Sequence, residues 1–175
     1  LALAPLMHGG PQERGRRPGS EAVALIAGFG VAAEVVTREL PDRRAHATAL
    51  TARLRAGLMQ LPSVTIHGDP ESHDGVTVNV GFAGCDGQLL LINLDLAGFA
   101  VATGAACSSG SLEPSPVLLA LGMPATQARS ALRISVGTRT TAQDIDALLE
   151  VLPELLGRVR GAAVDDADWR EVSVG

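Results

Sequence analysis

The sequence predicts an α+β domain in which a short sheet packs against helices. Apolar and polar residues alternate with a period of two over Val76–Phe82 and again over Leu132–Val136, the pattern of strands with one buried face. Leucine recurs every four residues at Leu50, Leu54 and Leu58, and an apolar stripe runs from Ile145 to Val159, both marks of amphipathic helices. The composition supports a real core, because 175 residues with 46% hydrophobic side chains suffice for one domain or a large piece of one. Aromatics are only 2%, so Leu, Val, Ile and Ala must fill that core.

The elements follow in chain order. His8–Gly19 is dense in Gly, Pro and Arg and reads as a loop. Ser20 stands as the N-cap of a helix to about Leu40, within which the uncharged run Ala22–Ala33 is expected to be buried. Pro41 starts a second helix, whose leucines lie opposite Arg43, Arg53 and Arg55. The strand VTIH from Val64 and the alternation at Val76–Phe82 come next, then a helix over Asp86–Leu96 closed by Gly98. Phe99–Ala102 reads as a brief strand running into Thr103–Glu113, an exposed loop of small and polar residues. Ser115 and Pro116 open a short helix that ends at Gly122 and Pro124. After the strand at Leu132–Val136, Thr140 and Gln143 suggest a capping box for the last helix, which Pro153 is expected to kink. Residues 161–175 form an acidic, weakly periodic tail.

Charge and cysteine usage exclude several classes of function. The net charge of −5, with no basic stripe, argues against nucleic acid or an anionic membrane as the main partner. Leu1–Met7 is apolar but lacks the basic leader of a signal peptide. Two cysteines in unlike settings make no disulfide framework, so a reducing cytoplasm is the expected compartment. All fourteen basic residues are Arg, and Lys is absent.

Four groups of residues are candidates for chemistry. Cys107 lies in Gly104-Ala-Ala-Cys-Ser-Ser-Gly110, where small neighbours let a thiol approach a substrate and nothing resembles a core element. Cys85 also sits in a turn, but beside Asp86, whose charge is expected to raise its pKa, and it reads as incidental. Arg133 projects from a strand between apolar neighbours. A structural ion pair with one of nineteen acids and a contact to a ligand carboxylate or phosphate explain it equally well. Arg14, Arg16 and Arg17 before Ser20 could cradle a phosphate at the helix start, although such loops are more often simply solvated. The four histidines, His8, His46, His67 and His73, show no metal-ligand spacing, so no metal is expected.

Three stretches, HGGPQERGRRPGSEAVALIAGFG, ATGAACSSGSLEPSPVLLALGM and ALRISVGTRTTAQDIDALLEVLP, resemble the C-terminal portion of cysteine desulfurases in order and spacing. These are pyridoxal-phosphate (PLP) enzymes of the class V aminotransferase group, and the similarity runs from about Leu6 to Leu156. The resemblance implies the small C-terminal domain of fold-type I PLP enzymes over residues 1–160, with a short, mostly antiparallel sheet, and a homodimer. It implies that Cys107 takes sulfur from L-cysteine as a persulfide, releasing alanine, and hands it to an iron-sulfur scaffold or a tRNA-thiolation protein. By the same likeness Arg133 clamps the substrate carboxylate, and Ser20 reaches the PLP phosphate of the opposite subunit. Pro11 and Ala22 depart from the family pattern near that contact.

The family's Schiff-base Lys, its PLP-stacking His and its pyridine-pairing Asp lie in an upstream domain, after which this sequence is expected to begin. With no Lys, the chain alone is expected to be inactive, as a split subunit or fragment completed by an N-terminal half. The alternative is a non-catalytic sulfur carrier or partner-binding module that lacks PLP.

Overall fold

Strand β2 (Thr77–Phe82) organises the fold, because its alternation gives it one apolar and one polar face. In the computed structural model, which describes residues 4–69, 73–104 and 113–172, without the side chains of 162–172, β2 lies between two antiparallel neighbours. These are β1 (Val64–His67) and β3 (Ala131–Ser135). The register pairs Ile66 with Val80 and Val80 with Leu132, so apolar residues of all three strands share one face. On the other face the same register lines up His67, Asn79 and Arg133. A slip of one residue would exchange the two faces, which is why burial locks this register.

The chain divides into two compact units, Leu1–Asp42 and Arg43–Gly175. In the second, three helices cover the apolar face of the sheet: the end of α2 (Val23–Leu58), α3 (Gly87–Leu96) and α6 (Ala142–Val172). Leu54, Leu58, Leu90, Leu94, Leu152 and Leu156 join Val78, Val80, Phe82 and Leu132 in this core, each almost completely buried. Every such side chain contributes about 1.5–3 kcal/mol relative to exposure. Helix α3 starts where Asp86 caps it, accepting from the Gln88 and Leu89 backbone N–H groups at 2.8 and 3.0 Å. It ends at Gly98, whose φ of +91° allows the Phe99 N–H to return to the Leu94 carbonyl.

Two glycines permit close packing. A Cβ on Gly87 would lie 2.5 Å from the Arg129 carbonyl oxygen, so α3 meets the entry to β3 backbone against backbone. The three atoms nearest a Cβ on Gly57 all belong to the flexible Leu149 side chain of α6. Arg53 of α2 and Asp146 of α6 add a two-pronged ion pair at 2.6 and 2.8 Å.

The structure corrects several expectations. The two helices expected to meet at Pro41 are one, α2, running from Val23 to Leu58. Pro41 withholds one N–H from the ladder, but Ala, Leu, Glu and Arg on both sides are strong helix formers and carry the helix through. Ser20 is not the N-cap, since the helix begins three residues later and the Arg17 guanidinium binds the Gly19 and Ser20 carbonyls at 3.0 and 3.1 Å. The run Ala22–Ala33 is not buried: Val23, Leu25, Ile26, Phe29 and Val31 are exposed, Phe29 by 77%. Hydrophobicity named a face that needs covering, and none of the described residues of the first unit is buried.

Within His8–Gly19 the chain makes one irregular turn, α1 (Gln12–Gly15), with Glu13 and Arg14 in the left-handed region. Phe99–Ala102 supplies only a bridge, Ala102 to Arg133. After α4 (Pro116–Ala120) a further short helix, α5 (Ala125–Arg129), leads into β3. The capping box of α6 is one residue later than expected: Thr141 and Asp144 exchange hydrogen bonds at 2.8 and 3.2 Å, while the Thr140 hydroxyl accepts from Gly137 N–H. Helix α6 passes through Pro153 without ending.

Gly87→Val, which drives a branched side chain into fixed carbonyls, is expected to cost about 1–3 kcal/mol and to lower Tm by several degrees. Gly57→Ala, which meets a side chain that can move, is expected to cost less, and calorimetry of both variants checks the order. Hydrogen bonds from the Thr141 backbone and hydroxyl hold the Asp144 carboxyl below its ordinary range, and that from Arg53 does the same for Asp146. A carboxyl lowered on folding stabilises the protein above the ordinary carboxylate pKa of about 4, and loses that contribution as pH falls through its folded value. Asp146→Asn is therefore expected to flatten the decline of Tm with acidification, measured from pH 7 to 3.

Candidate active site

The polar face of the sheet holds the one strand arginine foreseen as functional. Arg133 exchanges both its backbone hydrogen bonds with Ala102, at 2.6 and 3.0 Å. Its N–H and C=O thus point away from β2, and it meets Asn79 as a non-hydrogen-bonded pair, the arrangement that brings Cα atoms to about 4.5 Å and side chains closest. On the far side of Asn79 stands His67, whose Nδ1–H donates to Asn79 Oδ1 at 2.7 Å. The Thr77 and Ser135 hydroxyls form a parallel row, 3.3 Å apart.

The Arg133 guanidinium donates from Nη1 to the Gly104 carbonyl at 3.0 Å. Among the described residues no carboxylate lies within ion-pair distance of it. The structural ion pair weighed against a ligand contact is thus not formed among them, and the guanidinium is half-buried on the polar face of the sheet. Beside Gly104 lies a polar hollow of about 230 Å³, with Gln88, Thr103, Glu113, Ser115 and Arg129 among its lining. Gly104 and Glu113, both in its wall, flank the eight positions 105–112. Cys107 is among those positions and lies outside the described residues.

Cys85 belongs to the core and is 8% exposed. Burial raises its thiol pKa, opposed by the nearby Arg160 guanidinium. The expected cause, Asp86, is corrected here: that carboxylate is spent on capping α3. In the first unit Ser20 offers its carbonyl to Arg17, and Arg17 is occupied by this local turn. Among the described residues no three His, Cys, Asp or Glu side chains gather as a metal site, and no helix is long and apolar enough to cross a membrane. The alternation marked Arg133 and Asn79 as polar-face residues, but His67 stood out only as a histidine without metal spacing. Its pairing with Asn79 depends on strand register, which no local pattern encodes.

Comparison with known proteins extends this picture. The profile of aminotransferase class-V matches residues 8–148. The chain belongs to the class-V aminotransferase family. Its curated relatives in this family include the cysteine desulfurase IscS of Methanosarcina thermophila, 42% identical over 160 residues. The cysteine desulfurase of Gluconacetobacter diazotrophicus is 41% identical over 161 residues. Each alignment covers 91% of this chain, and the chain spans about 40% of either relative's length. Among solved structures, a NifS-like protein from Rickettsia africae superposes with a TM-score of 0.74 at 29% identity, over 89% of this chain and 40% of that one. A second NifS-like protein gives 0.75 at 32%, over 90% and 40%. The fold is therefore the α+β arrangement of these enzymes, with the three-stranded antiparallel sheet described above.

The burial of Cys85 has a measurable consequence. A raised pKa leaves less thiolate at any given pH, so iodoacetamide is expected to alkylate Cys85 about tenfold or more slowly in the folded chain than in urea. The pH at half-maximal rate is expected to move to the alkaline side, as followed by peptide mass spectrometry.

Proposed function

We propose that this chain provides the sulfur-accepting cysteine and the substrate-carboxylate clamp of a cysteine desulfurase. The observation that carries the reading is Arg133: a guanidinium on the open polar face, without an acid partner among the described residues, bound to the carbonyl of Gly104. Cys107 follows Gly104 by three residues, a span of at most about 11 Å for an extended chain. In this reading Arg133 holds the carboxylate of L-cysteine through its planar fork. The Cys107 thiolate attacks the substrate sulfur and becomes a persulfide as the substrate Cβ–S bond breaks with its electron pair going to carbon, an electron pair that PLP would stabilise, and protonation at carbon gives L-alanine. Iron-sulfur scaffold or tRNA-thiolation proteins would then take the sulfur.

Class-V aminotransferases and cysteine desulfurases are PLP-dependent. The residues of this chain do not by themselves fit PLP, because its aldehyde is held by a Lys amine and none of the 175 residues is Lys. Guanidinium cannot replace it, staying protonated at neutral pH. We therefore read residues 1–160 as the C-terminal domain, with 161–175 as an acidic extension, working in a cytoplasmic homodimer with the PLP-lysine portion that makes up the rest of its relatives' length. That portion would cover the exposed apolar positions between Val23 and Leu40. Ser20 would turn its hydroxyl toward the phosphate in the opposite subunit, while Arg17 binds its backbone carbonyl.

The chain alone is expected to form no borohydride-reducible side-chain adduct with PLP and to release no alanine from cysteine. Paired with an N-terminal portion carrying the Lys, it is expected to turn over, with persulfide trapped by alkylation on Cys107 and not on Cys85. Cys107→Ser is expected to abolish sulfur transfer. Arg133→Lys keeps the charge but loses the fork, and is expected to raise KM for cysteine about ten- to a hundredfold, the scale of a charge-assisted hydrogen bond. A chain that accepts persulfide from another desulfurase but gains no activity from any Lys-bearing partner would establish the carrier reading.

A further inference from the structure

We propose that Asn79 is a second carboxylate-binding residue beside Arg133, and that His67 is the positioning residue that orients it. This rests on the reading of Arg133 as the substrate-carboxylate clamp. The three residues occupy one row across β1, β2 and β3, all on the polar face. Because Arg133 turns its backbone hydrogen bonds to Ala102, its side chain and that of Asn79 share the closest kind of cross-strand position. An amide oxygen only accepts, so the 2.7 Å contact makes His67 Nδ1 the donor and engages Asn79 Oδ1. What Asn79 retains is its Nδ2 amino group, a two-proton donor for which the described residues supply no partner.

The packing shows that His67 is held rather than free. A Cβ on Gly81 would fall 2.9 Å from both Cε1 and Nε2 of the His67 ring, so the imidazole lies over the bare backbone of β2. Any other residue at Gly81 would push the ring away from Asn79. His67 and Asn79 are both half-buried, so their hydrogen bond is partly shielded from competing water. A carboxylate has about four lone-pair directions, of which a guanidinium fork takes two. A neighbouring amide N–H₂ aimed by a fixed oxygen is the complementary third donor. The row thus selects a carboxylate and discriminates against an amine that lacks one.

The test uses the 175-residue chain labelled with ¹⁵N and paired with an N-terminal portion carrying the Lys. L-alanine, which carries the carboxylate, and ethylamine, which does not, are titrated while the Arg133 Nε–H and Asn79 Nδ2 resonances are followed. L-alanine is expected to shift both, and ethylamine neither. Asn79→Ala is expected to weaken the alanine response at Arg133 about tenfold. Asn79→Asp, which keeps the shape and sets a like charge against the ligand, is expected to weaken it more. His67→Ala is expected to fall between wild type and Asn79→Ala, with recovery in His67→Gln, whose amide can donate in place of Nδ1. If Asn79→Ala does not fold by circular dichroism, the Asn79→Asp result decides. A response at Arg133 that is unchanged in the folded Asn79 variants would overturn the proposal and leave the Arg133 clamp standing. A response at neither residue would overturn both.

Discussion

The structure depends on the two-sidedness of β2. Val78, Val80 and Phe82 point into a core closed by α2, α3 and α6, while Thr77, Asn79 and Gly81 point the other way. The energetic weight lies with the core face, where each aliphatic side chain withdrawn from water contributes on the order of 2 kcal/mol. That weight sets the register, and the register then places residues on the opposite face that add little stability of their own. Arg133, Asn79 and His67 are aligned by the burial of leucines and valines on the opposite face.

Placing a guanidinium on a strand backed by a closed core also restricts how it moves. The β3 backbone is held on one side by β2 and on the other by the bridge to Ala102, so the root of the Arg133 side chain is fixed by both neighbours. The bond to Gly104 ties the guanidinium to the start of the segment that carries Cys107. Catalytic groups on loops gain reach, and rigid elements beneath them supply the orientation.

The first unit poses the opposite problem. Its helical residues carry exposed Val, Leu, Ile and Phe side chains, an arrangement costly in water and common where another surface docks. In the proposed function, a Lys-bearing portion would supply both the amine that none of the 175 residues offers and a cover for these side chains. The share of the curated relatives spanned by this chain, about 40%, agrees with that reading.

The sequence by itself determined the three strands of the sheet and its two faces, because a period of two is a property of neighbouring positions. It also marked Arg133 as a charge with no place in a core, and Cys107 as a thiol among small residues. Helix ends were less legible: Ser20 and Thr140 have capping side chains, yet α2 starts after Ser20, and Thr141 caps α6. Thr138, Thr140 and Thr141 all precede α6, whereas Ser20 is the one hydroxyl close before α2, and that helix starts beyond it. The continuity of α2 through Pro41 was decided by helix-forming residues on both sides of it, and the exposure of Val23–Val31 by the absence of any described surface against them. Only the tertiary structure paired His67 with Asn79 and Asn79 with Arg133, residues 12 and 54 positions apart. Strand register arises from the burial of the opposite face, a sum over the whole core that no local segment contains.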